Sequence, residues 1–211
     1  MKEIIVFGAT GGTGQQVVHQ ALIDGFEVTV VVRNKKEYML EHPHLVVIQG
    51  DVLKPATFSE AMNGKDAVVS CLGTRDRKPT TVYSEGVTNI MQAMKNTGVR
   101  RIICLSAGAL EIPPDATMMM KLVIKYILQR LFKHGYADMR LMEKILYNST
   151  FNWTVIRPPR LIAGEKKGEY RTSINEFLPH LSYITRADLA HYILHHLDDE
   201  KTFKCKVEIS Y

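Results

Sequence analysis

Ile4-Ile5-Val6-Phe7 runs directly into Gly8-Ala9-Thr10-Gly11-Gly12-Thr13-Gly14, and a helical pattern begins at Gly12. Four consecutive apolar residues suit a strand buried on both faces of a parallel sheet. Glycines immediately after such a strand let the chain turn tightly. They also leave the N–H groups of a helix N-terminus open to an anion, above all a pyrophosphate. A glycine motif alone is weak, but strand, turn and helix in this order are the context its mechanism requires. The stretch predicts the first βα unit of a dinucleotide-binding domain. Gly8, Thr10, Gly11, Gly12, Thr13 and Gly14 are its candidate cofactor contacts.

Working outward, Gly12 to Asp24 reads as a helix with Val17, Val18, Ala21 and Leu22 on its apolar stripe, stopped by Gly25. Further strands are expected at 28–32, 45–48, 67–70, 102–105 and 153–156, with a short one near 206–209. Tyr83, Val87, Ile90, Met91 and Met94 share one face of a helix that Gly98 ends. A long helical region is expected from about Thr117 to Tyr147, and a last helix from Arg186 to Leu197. Strands alternating with helices at this spacing imply right-handed βαβ units. The fold class is α/β, a Rossmann-type doubly wound parallel sheet. No linker, repeat or low-complexity segment interrupts it, so 1–211 is a single domain, with substrate-side loops near 107–120 and 158–185.

The end of the second predicted strand is the next informative position. Enzymes that use NAD place an acid there to hold a ribose hydroxyl, whereas this chain carries Arg33-Asn34-Lys35-Lys36. A guanidinium offers a planar fork that matches a 2′-phosphate, and an acid would repel one. NADP (NADPH) is the expected cofactor.

Gly8 to Gly14, Gly50-Asp51-Val52, Gly73-Thr74-Arg75 and Trp153-Thr154-Val155-Ile156-Arg157-Pro158 together resemble the atypical short-chain dehydrogenase/reductase superfamily. Within it, Leu72-Gly73-Thr74-Arg75 and Pro79-Thr80-Thr81-Val82-Tyr83-Ser84-Glu85-Gly86 look most like the NADPH-dependent flavin reductases of the biliverdin reductase B type. The resemblance implies that Thr10, Gly12, Thr13 and Gly14 line the pyrophosphate and Arg33 the 2′-phosphate. Asp51 and Val52 would meet the adenine, while Leu72, Gly73, Thr74 and Arg75 lead towards the nicotinamide. Ser106 would stand beside the nicotinamide, and Pro158 and Pro159 would close over its ring. Two positions depart from the pattern: Arg160 replaces a histidine after the paired prolines, and Ala107 to Pro114 lacks the expected aromatic residue. Ala107, Leu110 and Arg160 are the residues expected nearest to substrate.

Reduction of a simple ketone needs a proton donor at the developing alkoxide. No Tyr-x-x-x-Lys tetrad supplies one. Its nearest relative, Tyr136-Ala137-Asp138-Met139-Arg140, puts a tyrosine and a fixed charge on one helical face. That charge could lower the tyrosine pKa, although an ordinary amphipathic surface helix explains the same residues. Flavins and bilins spread the arriving charge by conjugation, so holding the reacting atoms about 3–3.5 Å apart becomes the main requirement. Ser106 is then expected to orient rather than to transfer a proton. Arg160, Lys166, Lys167 and Arg171 are expected to attract an anionic group of the substrate. A second reading is a non-catalytic NADP-binding redox sensor of the NmrA-like type. A third, an epimerase or dehydratase relative, is disfavoured by the missing Tyr-Lys pair.

Composition narrows the classes further. The net charge is +5 and the pI about 9.0, but Lys and Arg are scattered, so no nucleic-acid partner is expected. Cys71, Cys104 and Cys205 are widely spaced and flanked by apolar residues, as reduced core thiols are. Met1-Lys2-Glu3 runs directly into a short apolar strand, so no signal peptide is expected, and Lys121, Lys125 and Arg130 interrupt the apolar stretch Met118 to Phe132, which is therefore not expected to span a bilayer. The expectation is a cytoplasmic monomer or weak homodimer, with a small-molecule substrate and no membrane partner. Met118-Met119-Met120 reads as gap-filling core or pocket wall. His191 and His195 lie one helical turn apart without a third ligand at fixed spacing, so no metal is expected.

Overall fold

The computed structural model describes residues 1–74 and 76–211. Its central strands are β1 (Glu3–Phe7), β2 (Glu27–Val32), β3 (Leu45–Gln49), β4 (Ala67–Ser70), β5 (Arg101–Leu105), β6 (Asn152–Arg157), β8 (Arg171–Ile174) and β10 (Cys205–Ser210). They form one sheet in the order β3-β2-β1-β4-β5-β6-β10-β8. All neighbours are parallel except β10 and the edge strand β8. The order reverses between β1 and β4, which is where a doubly wound sheet opens a crevice at its carboxyl edge. Register sets the strand ends level there. Phe7 pairs with Val31 and Ser70, Ser70 with Cys104, and Cys104 with Val155. The segments that follow these residues therefore emerge side by side.

Alternation along each strand divides the core in two. Ile4, Val6, Val28 and Val30 pack against Val17, Val18 and Ala21 of α1 (Gly12–Ile23) and Leu189, Ala190 and Ile193 of α6 (Arg186–His195). Ile5, Phe7, Val68 and Ile102 pack on the other face, against Val87, Ile90 and Met94 of α2 (Ser84–Thr97) and Met142 and Leu146 of α5 (Lys133–Tyr147). Fully burying each valine, leucine, isoleucine, methionine or phenylalanine among them contributes about 1.5–3 kcal/mol. Gly25 and Gly98, at φ +78° and +80°, stop α1 and α2 in the left-handed conformation that glycine adopts without penalty.

The expected strands and helices lie within two residues of the observed ones, but the helical region from 117 to 147 is divided. It consists of α3 (Met118–Leu122), a π-helical stretch at Val123–Leu128, α4 (Gln129–Leu131), a break at Phe132, and then α5. Met118 and Met119 are 74% and 76% exposed and Met120 is also exposed, so these methionines are surface residues and not core filling. Methionine periodicity cannot distinguish an inward from an outward face when apolar residues occupy both. Two short parallel strands, β7 (Arg160–Ile162) and β9 (Tyr183–Thr185), pair beside the main sheet within the loop expected at 158–185. Cys71 and Cys104 are buried free thiols, and burial pushes both up to about 12; Cys205 is only half-buried. Among the described residues no helix is long and apolar enough to cross a membrane.

Candidate dinucleotide site

The glycine turn is shaped first by the protein's own packing. Gly8 sits at φ +77°, and a Cβ there would come within 2.2 Å of the Cys71 carbonyl oxygen. A Cβ on Gly14 would lie 2.2 Å from the carbonyl oxygen of Gly8, so α1 can approach β1 this closely only through glycine. The Gly11 N–H closes the turn on the Gly8 carbonyl at 3.0 Å. Gly11 is also the N-cap of α1, with no side-chain cap and no acid in the first turn. The first N–H groups and the positive end of the helix dipole thus remain open to a ligand. Thr10, Gly11 and Gly12 are exposed, whereas Thr13 is buried. An open glycine cradle and an uncapped helix of this kind fit a pyrophosphate.

Arg186, the first residue of α6, lies over this cradle. A Cβ on Gly12 would meet its Cδ at 2.8 Å and its Nε at 2.9 Å. No carboxylate pairs with Arg186 among the described residues. Its neighbours are held firmly: Thr185 Oγ1 accepts from the Asp188 N–H at 3.0 Å. Asp188 in turn accepts from the N–H groups of Lys167 and Gly168, from Thr185 and from the Tyr211 hydroxyl. Burial alone would raise the Asp188 pKa, but these hydrogen bonds outweigh it and hold the carboxyl below its ordinary value. Sequence spacing carries no signal for Arg186, because only the packing of α6 on α1 brings it to the turn.

On the adenosine side, Arg33 is exposed directly after β2. Asn34 orders the following turn, its side chain accepting from the Lys36 N–H at 3.1 Å and donating to Glu37 at 2.5 Å. A groove of about 940 Å³ runs from Thr10 along Gln16 and His19 of α1, between Glu37–Leu40 and Gly164–Lys166. Asp51 is half-buried and accepts from the Leu53 N–H at 3.0 Å. Val52 is buried beneath it, against the Cα of Gly86.

At the other end of the crevice Leu72 is half-buried while Gly73 and Thr74 are exposed; Arg75 lies outside the described residues. The Thr74 N–H donates to the Tyr83 hydroxyl at 3.3 Å. Ser106, at the end of β5, is buried, and its hydroxyl donates to Glu143 at 2.6 Å. Glu143 also receives a bidentate pair from Arg157, which reaches Glu111 at 2.9 Å. Burial opposes the Arg157 charge, but the two carboxylates more than compensate and raise its pKa. Because the Ser106 proton is directed inwards, the hydroxyl can only accept from a ligand, which suits orientation and not proton donation. Ser106 N–H and Gly108 N–H donate to the carbonyls of Ile156 and Pro158 at 2.8 and 2.9 Å, tying the β5 loop to the β6 loop. Pro158 is buried and Pro159 half-buried.

Beside Thr74 opens a cleft of about 360 Å³, walled by Tyr83, Phe132, Tyr136 and Met139, with Asp76 and Arg77 at its edge. Tyr136 is therefore part of a cavity. Its pKa is raised by burial, an effect that Arg140 offsets only in part, so the fixed charge does not produce an acidic tyrosine. Arg140 instead donates to the Leu110 carbonyl at 2.7 Å. Asp138, also unremarked by periodicity, is buried and accepts from the N–H of Tyr83 at 2.9 Å and from Ser84, anchoring the start of α2.

The basic residues of the loop have separate immediate partners. Arg160 is exposed in β7, and Lys166 lines the groove beside α1. Lys167 lies 4.5 Å above the Tyr211 ring, and Arg171 is committed to the carbonyls of Pro179, His180 and Tyr211. Lys167 and Arg171 thus both meet Tyr211. Ala107 is half-buried and Leu110 fully buried, so the Leu110 side chain belongs to the wall under the loop. His191 bonds Tyr170 at 2.8 Å, and its ring lies 3.9 Å from that of His195. Among the described residues no group of His, Cys, Asp and Glu is arranged to hold a metal ion.

Comparison with known proteins agrees with this fold. A short-chain dehydrogenase/reductase from Veillonella parvula, solved in complex with NADP, superposes with a TM-score of 0.83 over 100% of this chain and 94% of its own, at 19% identity. The Photosystem II assembly factor Ycf39 of Synechocystis is 30% identical over 56% of this chain and 38% of its own length. An uncharacterized chloroplastic protein of Arabidopsis thaliana is 29% identical over 74% of this chain and 58% of its own. The chain thus covers less than two thirds of these curated relatives. The family model described as NAD(P)H-binding matches residues 8–200. With nearly the whole chain matched, the protein belongs to this NAD(P)H-binding family.

Proposed function

We propose that this protein is an NADPH-dependent reductase acting on flat conjugated acceptors such as flavins or bilins. The observation that carries the reading is the cleft at Thr74, whose walls are Tyr83, Phe132, Tyr136 and Met139 and whose volume is about 360 Å³. Apolar and aromatic walls suit a planar ring system, and stacking needs no dedicated acid at the acceptor. When bound, the reduced nicotinamide supplies the hydride. The chain's own residues bind and orient. The open first turn of α1, with Arg186 above Gly12, holds the pyrophosphate, and Arg33 selects the 2′-phosphate. Ser106, fixed by Glu143, offers an acceptor at the end of β5. Tyr136, kept protonated by burial, faces the cleft as a neutral wall. Protons come from water.

The test follows NADPH oxidation by the purified protein with FMN, riboflavin and a bilin as separate acceptors, and NADH as control. Acceptor-dependent oxidation that prefers NADPH supports the reductase. Tight NADPH binding without turnover on any acceptor favours the second reading, a non-catalytic NADP-binding sensor that acts on a protein partner. One observation speaks for that alternative: a relative over part of the chain is named as an assembly factor.

A further inference from the structure

The segment from Met118 to Lys133 reverses the usual amphipathic rule. A surface helix turns polar residues outwards. Here Met119, Leu122, Val123, Tyr126, Ile127 and Leu131 are all exposed. The segment is held from beneath by only a few contacts. Ile124 is buried, Gln129 donates to the Ala109 and Leu110 carbonyls at 3.3 and 3.4 Å, and Lys121 reaches the Pro114 carbonyl at 3.3 Å. An exposed apolar surface this continuous marks an interaction site.

Its charge selects the partner. Lys121, Lys125, Arg130 and Lys133 are interspersed with the apolar residues, and no acidic residue occurs between Asp115 and Asp138. None of the four cations pairs with a carboxylate among the described residues. A second copy of this chain is a poor cover, since a two-fold interface would set the cations against themselves. A bilayer bearing negative headgroups satisfies both features at once: the apolar side chains enter the acyl boundary and the lysines and arginine meet the headgroups.

We propose that Met118–Lys133 is an in-plane docking face for an anionic lipid bilayer. It lies on the surface without crossing, so the charges that forbid a span are what anchor it. The expectation of no membrane partner, drawn from those charges, holds only for a span. Phe132, near the end of the segment, also lines the cleft beside Thr74, so docking brings the mouth of that cleft against the headgroup layer.

The experiment is flotation of the full chain with vesicles of phosphatidylcholine, with and without phosphatidylglycerol. The protein is expected to float only with phosphatidylglycerol and to be released by salt. Lys125→Gln and Arg130→Gln should each weaken binding about fivefold. The double variant Val123→Gln, Ile127→Gln should weaken it about tenfold or more. All four positions are exposed, so unchanged circular dichroism and melting will show the fold intact. Failure to float with either vesicle overturns the proposal, as does binding that ignores both lipid charge and the apolar substitutions. A dimer that the double variant dissociates, with no vesicle binding, overturns it in favour of a second copy.

Discussion

The side chain of Arg186 lies across Gly12, joining the first turn of α6 to the first turn of α1 and setting a guanidinium that pairs with no carboxylate among the described residues over the uncapped helix end. The first turns of α1 and α6 thereby meet at the glycine turn. Arg186→Gln should weaken NADPH binding by about 10- to 100-fold, the value of a lost charge-assisted hydrogen bond. The melting temperature without cofactor should not change. Calorimetric titration checks this, and an unaltered affinity would remove Arg186 from the site.

The motif glycines should separate by role. Gly14→Ala presses a methyl group onto a backbone carbonyl 2.2 Å away and should destabilise the free protein by about 3 kcal/mol or more. Gly12→Ala meets only the flexible arm of Arg186, at 2.8 Å, and should leave stability nearly intact while weakening NADPH binding. Thermal melts with and without NADPH distinguish the two. Equal loss of stability in both variants would contradict the assignment.

Arg33 is exposed at the end of β2, where it can serve a ligand without supporting the fold. Arg33→Ala should reduce NADPH affinity about 10- to 100-fold and leave NADH affinity within about threefold. Parallel titrations with both nucleotides decide it. A proportionate loss for both would show that Arg33 does not read the 2′-phosphate.

Under the β5 loop, Glu143 neutralises the buried guanidinium of Arg157. Glu143→Ala leaves the buried charge only the more exposed Glu111 as partner and should cost about 3 kcal/mol in denaturant unfolding. Adding Arg157→Met should restore much of the loss. If the double variant is no better than the single, the buried charge is not the cause.

Asp188 pins Lys167 and Gly168 to the start of α6, and its pKa in the folded protein is depressed. A depressed carboxylate contributes stability that is complete above the unfolded pKa, about 3.9, and that is lost as pH falls through the folded value. Wild type should therefore melt well above Asp188→Asn at neutral pH, with the two curves converging in acid. A difference that does not change with pH would show that the carboxylate charge is not what pins the loop.

Much of the architecture was legible because its signals are local. Continuous apolar runs mark β1, β4 and β5, and Gly25 and Gly98 mark helix ends, since both depend only on the residues' own backbone and side-chain geometry. The glycine turn and Arg33 were legible for the same reason. The short strands β7 and β9 were not, because three residues are too few to carry a usable period.

By itself, then, the sequence determined the order of the parallel strands of the main sheet and of its principal helices, the place of the glycine turn and the basic residue after β2. Each follows from neighbours along the chain. Only the tertiary structure decided that Arg186 covers Gly12, that Glu143 turns the Ser106 proton inwards, that Asp138 anchors α2, and that the apolar residues after Met118 face outwards. A side chain's charge partner and its exposure are set by whichever distant segment packs upon it, and periodicity reports a face without saying what that face meets.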